Sequence, residues 1–202
     1  MEIASILILL VCGVVVALLI FGIALYNSLV QAKILVDEAW SGIDVQLKRR
    51  YDLIPNIVET VKGYAKHESS TFEKIAQLRS AAMNTTSINE KGKIEQELSG
   101  TLKSLFAIAE AYPELKANEN FIKLQDSLSE IENELQGARR YYNGTVRDFN
   151  TKIMVFPNNL LAGILGFKAR EFFAAEESEK ANVKVDFSDN KPEAPTEVKS
   201  AE

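Results

Sequence analysis

The stretch that decides the fold is residues 118–156, NENFIKLQDSLSEIENELQGARRYYNGTVRDFNTKIMVF. A helix with one apolar stripe is typical of an amphipathic element that packs against others. Over this whole stretch such a helix is about 58 Å long at 1.5 Å per residue. The stretch therefore predicts an all-α fold. Its stripe alternates steps of three and four residues through Phe121, Leu124, Leu128, Ile131, Leu135, Ala138, Tyr142, Val146, Phe149, Ile153 and Phe156.

Three more amphipathic segments lie upstream, and their ends are marked by proline and serine. Pro55 lacks a backbone donor and disfavours helical backbone at the residue before it, so we expect the first helix to end near residue 53. Proline is favoured in the first turn of a helix, so Pro55 is expected to open the second. Ser87 and Glu90 have the spacing of a capping box, which predicts the start of a third. Four stripes with short connections predict a long antiparallel bundle of about four helices over residues 27–175.

An apolar run from Ile3 to Tyr26 precedes the bundle and contains no charged residue. A hydrocarbon core about 30 Å thick requires roughly 20 apolar helical residues, so this run is long enough to cross a bilayer. A cleaved signal peptide has a basic start and a shorter apolar core, whereas the only charged side chain before this run is Glu2. We therefore predict that residues 1–26 are a retained single-pass transmembrane anchor, which contacts lipid through residues 3–26.

Composition excludes several classes of function. The 202 residues include 23 basic and 28 acidic side chains, a net charge of −5, and this acidity argues against a nucleic-acid-binding protein. One Cys and one His exclude a Cys-based zinc site and a two-His metal motif, and they leave little for a catalytic triad. Acidic residues outnumber basic ones over residues 176–202, and this composition predicts a mostly disordered tail.

Nine short segments, taken in order along the chain, form a specific pattern. They are YNSLV at 26–30, VDEAWSGIDVQL at 36–47, KRRYDLIPN at 48–56, VKGYA at 61–65, AYPELKAN at 111–118, ARRYYN at 138–143, FPNN at 156–159 with GF at 166–167, and VKVDF at 183–187. Together they resemble the LemA family of bacterial membrane-anchored helical proteins. The resemblance implies an N-terminal anchor, a helical bundle and no established catalytic activity. Because such proteins are commonly encoded near membrane zinc metalloproteases of the HtpX kind, it also implies an envelope protein or membrane protease as partner.

The resemblance also implies a location, the bacterial cytoplasmic (inner) membrane. Glu2 leaves no basic side chain on the short side of the anchor, whereas Lys33 follows it. The positive-inside rule then predicts that the N-terminus lies outside and the bundle in the cytoplasm. Gly13 and Ala17 form a small-xxx-small pair in the anchor, which predicts at most a weak homo-oligomer.

Two classes of function fit these observations. The first is a membrane-anchored interaction or scaffold protein without catalysis, for which we assign no catalytic, cofactor-binding or metal residue. The alternative is a carboxylate-metal-dependent enzyme with its site inside the bundle. A metal site at His67 lacks a second imidazole, and Glu130, Glu132 and Glu134 lie between stripe positions and are expected to face solvent.

The predicted partner site lies at the end of the bundle far from the membrane. In an up-down bundle the first and third helix junctions lie at the same end, and loops held by a rigid scaffold often bind partners. The alternative is a purely structural role, with a cross-loop pair between Arg50 and Glu114. The candidate partner-binding residues are Arg49, Arg50, Asp52 and Asn56 at one junction, and Tyr112, Glu114 and Lys116 at the other.

A second candidate surface follows Pro157. The last long helix is predicted to be longer than the first and to return toward the membrane, so its end is expected near the bilayer surface. The alternative is a short helix that only caps the bundle. The candidate membrane-interface residues are Leu160, Leu161, Ile164, Leu165 and Phe167.

Overall fold

The computed structural model describes residues 2–173, and within this range the protein is all-α, as predicted. The predicted acidic tail, 176–202, lies outside the described residues. The helices are α1 (Glu2–Lys62), α2 (Ser69–Asn84), α3 (Ile88–Glu110), α4 (Pro113–Lys116), α5 (Glu119–Met154) and α6 (Asn158–Ile164).

Helix α1 is a single unbroken helix that contains both the apolar run and the first helix of the bundle. Its 61 residues correspond to about 92 Å at 1.5 Å per residue. The apolar part is long and apolar enough to cross a membrane, and none of its most apolar window is buried inside the protein. Large side chains such as Leu9 and Ile20 are 72% and 63% exposed. A core helix of this composition would be buried, so these observations support a membrane location.

The prediction that the first helix ends near residue 53 is wrong, because α1 continues through Pro55 to Lys62. A proline inside a helix leaves the carbonyl four residues earlier without its intrahelical donor. Here that carbonyl belongs to Tyr51, and Arg79 of α2 donates to it from Nε at 2.7 Å. A side chain from the neighbouring helix thus replaces the missing backbone hydrogen bond.

The second helix consequently begins at Ser69 instead of Pro55, after a connection over residues 63–68. The predicted start of the third helix is confirmed, since the hydroxyl of Ser87 accepts the backbone N–H of Glu90. Asn118 caps α5 by accepting the backbone N–H groups of the second and third residues that follow it. Side-chain oxygens at these N-caps satisfy amides that have no partner within their own helix.

The four long helices form an antiparallel bundle, as predicted. The ring of Trp40 in α1 lies against Tyr142 in α5, with 5.3 Å between centroids, and further along α1 the Arg50 guanidinium lies 2.9 Å from Glu132. Contacts that move forward along one helix and backward along the other define antiparallel packing. The buried core runs through all four helices and includes Ile43, Leu47, Ile54, Ile57, Ile75, Leu98, Leu105, Leu128, Leu135, Val146 and Phe149.

Near the apolar part of α1 the bundle is thinner. Lys91, in the first turn of α3, lies over the ring of Trp40 at 5.8 Å, so α3 begins at about the level of Trp40. The preceding part of α1, back to Tyr26, packs against the second half of α5, against α6 and against the segment 165–173. The long α5 thus extends beyond α2 and α3 toward the apolar part of α1.

Candidate functional site

The distal end of the bundle brings the two predicted junctions together. The amide of Asn118, which opens α5, donates to the hydroxyl of Tyr64 in the α1–α2 connection at 3.2 Å. Leu115 of α4 is completely buried and holds this short helix against the core. The neighbouring side chains of Glu114 and Lys116 are exposed, whereas Tyr112 is half-buried. Three of the predicted partner residues therefore lie at this end.

The four predicted residues from the first helix do not lie at this end. Because α1 continues to Lys62, Asn56 is the nearest of them and stands six residues before the end of the helix. Arg49, Asp52 and Asn56 are exposed and share the outward face of α1. Their spacing of three and four residues fits one helical face. The predicted junction is thus shifted by about two helical turns.

Arg50 differs from its predicted setting, because its side chain is fully buried and bound inside the bundle. The guanidinium lies 2.6 Å from the carboxylate of Glu95, which is also fully buried. Its other arm donates to the hydroxyl of Ser99 at 2.7 Å and lies 2.9 Å from Glu132. Arg50 therefore does not lie at the predicted junction, and the alternative pairing with Glu114 is wrong. We call these residues, with Tyr51, the central polar cluster.

Tyr51 completes the central polar cluster by donating its hydroxyl hydrogen to Glu95. Burial, reinforced by the negative charge of Glu95, raises the pKa of the Tyr51 phenol far above its usual range. Such a shift means that the neutral, hydrogen-bond-donating form is strongly favoured. Both oxygens of Glu95 therefore have donors, one from Arg50 and one from Tyr51. This arrangement neutralises a buried carboxylate and fixes α1 against α3.

Glu95 is the residue that the sequence reasoning missed, although a signal was present. It stands at a stripe position of α3, three residues before Leu98 and seven before Leu102. Likewise Arg50 fills the gap between Leu47 and Ile54 in the stripe of α1. A charged residue at an apolar stripe position is expected to need a buried partner. One acid and one base at such positions on two helices predict an internal pair.

The opposite end of the bundle is closed by the residues that follow α6. Gly166 has φ of +71°, a left-handed conformation that glycine adopts without penalty. The N–H of Phe167 then bonds back to the carbonyl of Ala162 at 3.0 Å, which is the pattern of a Schellman turn. The chain reverses here and runs along α1 and α5 as an extended segment, residues 167–173, which we call the strap.

Two asparagines on α5 hold the strap by its backbone. Asn150 donates to the carbonyl of Arg170 at 2.9 Å and accepts its N–H at 2.8 Å. Asn143 does the same with Phe173, at 3.0 and 2.9 Å. Seven helical residues rise about 10.5 Å, and three extended residues span about 10 Å, so the two pairs match in spacing. Arg170 also reaches Asp37 of α1 at 2.8 Å.

The predicted membrane-interface residues divide between two roles. Phe167 is half-buried, and its ring lies 6.5 Å from that of Tyr26 and 6.4 Å from that of Phe149. Leu161 is half-buried as well. The ring of Phe167 packs against the buried core of the bundle. Three others point outward: Leu160, Ile164 and Leu165 are 59%, 81% and 46% exposed.

Among residues 2–173 no group of three or more His, Cys, Asp or Glu side chains is placed to hold a metal ion. Glu130 and Glu134 are exposed, as predicted. Glu132 is half-buried and contacts Arg50, so its predicted solvent-facing position is wrong. His67 lies in the connection between α1 and α2 and is exposed. No observation on the described part of the chain favours the carboxylate-metal alternative.

Sequence similarity to known proteins extends over most of the chain. A model of the LemA family matches residues 39–187. The chain belongs to the LemA family. The match includes the central polar cluster, the distal end and the strap, and it confirms the resemblance seen in the sequence.

Named relatives agree with this membership. The protein LemA of Metamycoplasma hominis is 30% identical over 162 residues, which cover 78% of this chain and 72% of that protein. Magnetosome protein MamQ 2 of Paramagnetospirillum magneticum is 26% identical over 174 residues, covering 73% of this chain and 64% of its own length. Magnetosome protein MamQ of Magnetospirillum gryphiswaldense is 23% identical, and this chain spans 58% of it. The matched region thus covers only part of each relative, between 58% and 72% of its length.

Proposed function

We propose that this LemA family protein is a membrane-anchored scaffold that holds a protein-binding surface at a fixed distance from the bilayer. The observation that carries this proposal is the continuity of α1, which joins the apolar run to the distal end without a break. From Tyr26 to Lys62 the helix rises about 54 Å. Because the other long helices pack along it, the distal end has little freedom to move relative to the membrane span.

The proposed binding surface is the distal end, with Glu114, Lys116 and the exposed part of Tyr64. These side chains stand on short connections that the buried Leu115 and the Tyr64–Asn118 hydrogen bond hold in place. Residues that bind partners are often found on loops that a rigid scaffold holds in place. By family analogy the partner is an envelope protein or an HtpX-like membrane metalloprotease. The work of the scaffold is binding and positioning, without catalysis.

Site-specific photo-crosslinking in the cells that produce the protein tests this proposal. A photoreactive amino acid is placed in the full-length chain at Glu114 or at Lys116, with Asn89 as the matched control. Asn89 is also exposed, but it lies near the start of α3, at the other end of that helix. We expect the same membrane protein to be captured from the first two positions and not from the control. Absence of adducts at the distal end, or equal adducts at all three positions, would contradict it.

We further propose that the protein lies in the bacterial cytoplasmic membrane with its bundle in the cytoplasm. The charge difference across the anchor supports this orientation, since Lys33 follows the apolar run and Glu2 precedes it. Protease added to intact spheroplasts is then expected to leave the bundle uncut, whereas lysed spheroplasts should lose it. Digestion of the bundle in intact spheroplasts would place it on the outer side.

A further inference from the structure

The end of the bundle nearest the membrane span exposes a cluster of large apolar side chains. Phe156 is 78% exposed, Leu160 59%, Ile164 81% and Leu165 46%. These four residues lie on α6 and its two flanking connections, and we call them the α6 collar. Contiguous exposed apolar surface of this kind marks a contact with a protein or a membrane.

The level of the α6 collar along α1 follows from two contacts. Tyr142 of α5 lies against Trp40 of α1, and the helices are antiparallel, so Met154 at the end of α5 is level with about Ser28. After α6, the ring of Phe167 lies 6.5 Å from the ring of Tyr26 in α1. The α6 collar therefore lies beside α1 at the level where the apolar run ends.

The length of the apolar run places this point at the membrane surface. From Ile3 to Tyr26 the helix is about 36 Å long, which exceeds a hydrocarbon core of about 30 Å. For a helix near the membrane normal, the last residues of the run emerge into the headgroup layer. Tyrosine is enriched at this depth, and Tyr26 is 45% exposed.

We propose that the α6 collar inserts into the boundary between headgroups and acyl chains of the leaflet from which α1 emerges. The occupant of this apolar surface is lipid, because the surface is continuous with the apolar run and lies at its end. The exposed Lys33 and Lys168 stand beside the collar, on α1 and the strap. Cations at this depth bind lipid phosphates, as they do beside other interfacial helices.

This second contact has a mechanical consequence. A single membrane-spanning helix leaves a domain free to rotate about the helix axis and to tilt. Insertion of the collar on one side of α1 removes part of that freedom, since the Schellman turn and the strap tie α6 to both α1 and α5. The bundle is thereby held in one orientation relative to the bilayer surface. The inference depends on α1 crossing the membrane and is independent of any protein partner.

Spin-label accessibility of the full-length protein in single-copy lipid nanodiscs tests the proposal. Single cysteines are introduced at Leu160 and at Ile164 in a Cys12→Ser background. The matched controls are Met83→Cys and Ile122→Cys, which replace apolar side chains that are 53% and 43% exposed on the bundle away from α6. We expect oxygen to collide with labels at 160 and 164 more often than a water-soluble nickel complex does, and the reverse ratio at both controls.

The natural Cys12 provides the positive control, because it lies within the apolar run and is exposed. A label there should collide more often with oxygen than with the nickel complex, which we call the lipid ratio; the reverse is the water ratio. If Cys12 shows the lipid ratio while positions 160 and 164 show the water ratio, the collar does not insert and the proposal is overturned. Spin–spin broadening at position 164 in detergent, removed by dilution with unlabelled protein, together with the water ratio in nanodiscs, would assign the surface to a second copy instead.

Discussion

The Nε group of Arg79 donates a hydrogen bond to the backbone carbonyl oxygen of Tyr51 at 2.7 Å. In a regular helix this carbonyl would accept the N–H of residue 55, and Pro55 has none. Arg79 lies on α2, so the continuity of α1 depends on its neighbour in the bundle. The hydrogen bond connects the C-terminal part of α1, which leads to the distal end, to α2.

The first prediction concerns this hydrogen bond. Arg79→Ala is expected to destabilise the bundle by about 1 kcal/mol, because the Tyr51 carbonyl loses its donor. In a Pro55→Ala background, position 55 regains a backbone N–H, and the same Arg79→Ala change should cost close to nothing. The measurement is denaturant unfolding of the four proteins in detergent micelles, followed by far-UV circular dichroism. Equal costs in both backgrounds would show that Arg79 acts through something other than this carbonyl.

Pro55 also shows where prediction of the fold from sequence reaches its limit. The stripes, the Ser87 cap and the apolar run are local patterns, and they predicted the all-α bundle and its antiparallel order correctly. Whether a proline ends a helix depends on whether a distant residue supplies the missing donor. Arg79 stands 28 positions after Tyr51, whose carbonyl it binds. The sequence of residues 50–60 alone therefore cannot indicate that this donor exists.

The second prediction concerns the buried pair in the central polar cluster. Arg50→Ala should destabilise the bundle by about 3–5 kcal/mol, because it leaves the fully buried Glu95 without its cation. The triple change Arg50→Met, Tyr51→Phe and Glu95→Leu should recover most of that loss, since it also removes the Tyr51 hydroxyl that donates to Glu95, and the apolar side chains that remain need no partner. Lys74→Ala serves as the control: Lys74 pairs with Glu97 at a half-exposed site, and its loss should cost at most about 1 kcal/mol.

The outcome of these variants distinguishes a structural role from a binding role for Arg50. If Arg50→Ala leaves the unfolding midpoint unchanged, the pair does not hold α1 to α3.

The candidate site was predicted from the sequence only in part, because its position depends on where α1 ends. Glu114 and Lys116 were placed at the distal end by helix order alone, which the sequence provides. Arg50 was misplaced because the position of a junction depends on where α1 ends, and tertiary contacts decide that end.

The third prediction concerns alkaline pH and follows from the raised pKa of Tyr51. Above about pH 10 an unfolded chain releases the proton of this phenol, whereas the folded bundle retains it. The unfolded state then binds fewer protons, so the free energy of unfolding falls as pH rises, by up to about 1.4 kcal/mol per pH unit for this group. Below pH 10 the contribution is complete.

Tyr51→Phe isolates this effect. The variant loses the hydrogen bond to Glu95 and is expected to be less stable near neutral pH, but its stability should fall less steeply above pH 10. The measurement is urea unfolding at a series of pH values for both proteins. Tyr141→Phe, which alters a ring that is 53% exposed, is the control and should follow the wild-type profile. Parallel profiles for wild type and Tyr51→Phe would contradict the prediction.

The last prediction concerns the strap, for which Trp40 is a natural reporter. Trp40 is the single tryptophan of the chain, and its ring lies 5.8 Å from that of Phe173, which is almost completely buried. Asn143→Ala and Asn150→Ala each remove two hydrogen bonds to the strap backbone. Each bond is worth about 1 kcal/mol, so the double variant should release the strap while the bundle stays folded.

Release of the strap is expected to shift Trp40 emission to longer wavelength and to speed exchange of the backbone amides of Arg170 and Phe173. Far-UV circular dichroism should stay the same, because the strap is not helical. Asn120→Ala, an exposed change near the start of α5, is the matched control and should alter neither signal. Unchanged amide exchange in the double variant would mean that other contacts hold the strap without the asparagines. These are the Tyr142 hydroxyl, which donates to the carbonyl of Glu171 at 2.9 Å, the packing of Phe173 against Trp40, and the Arg170–Asp37 pair.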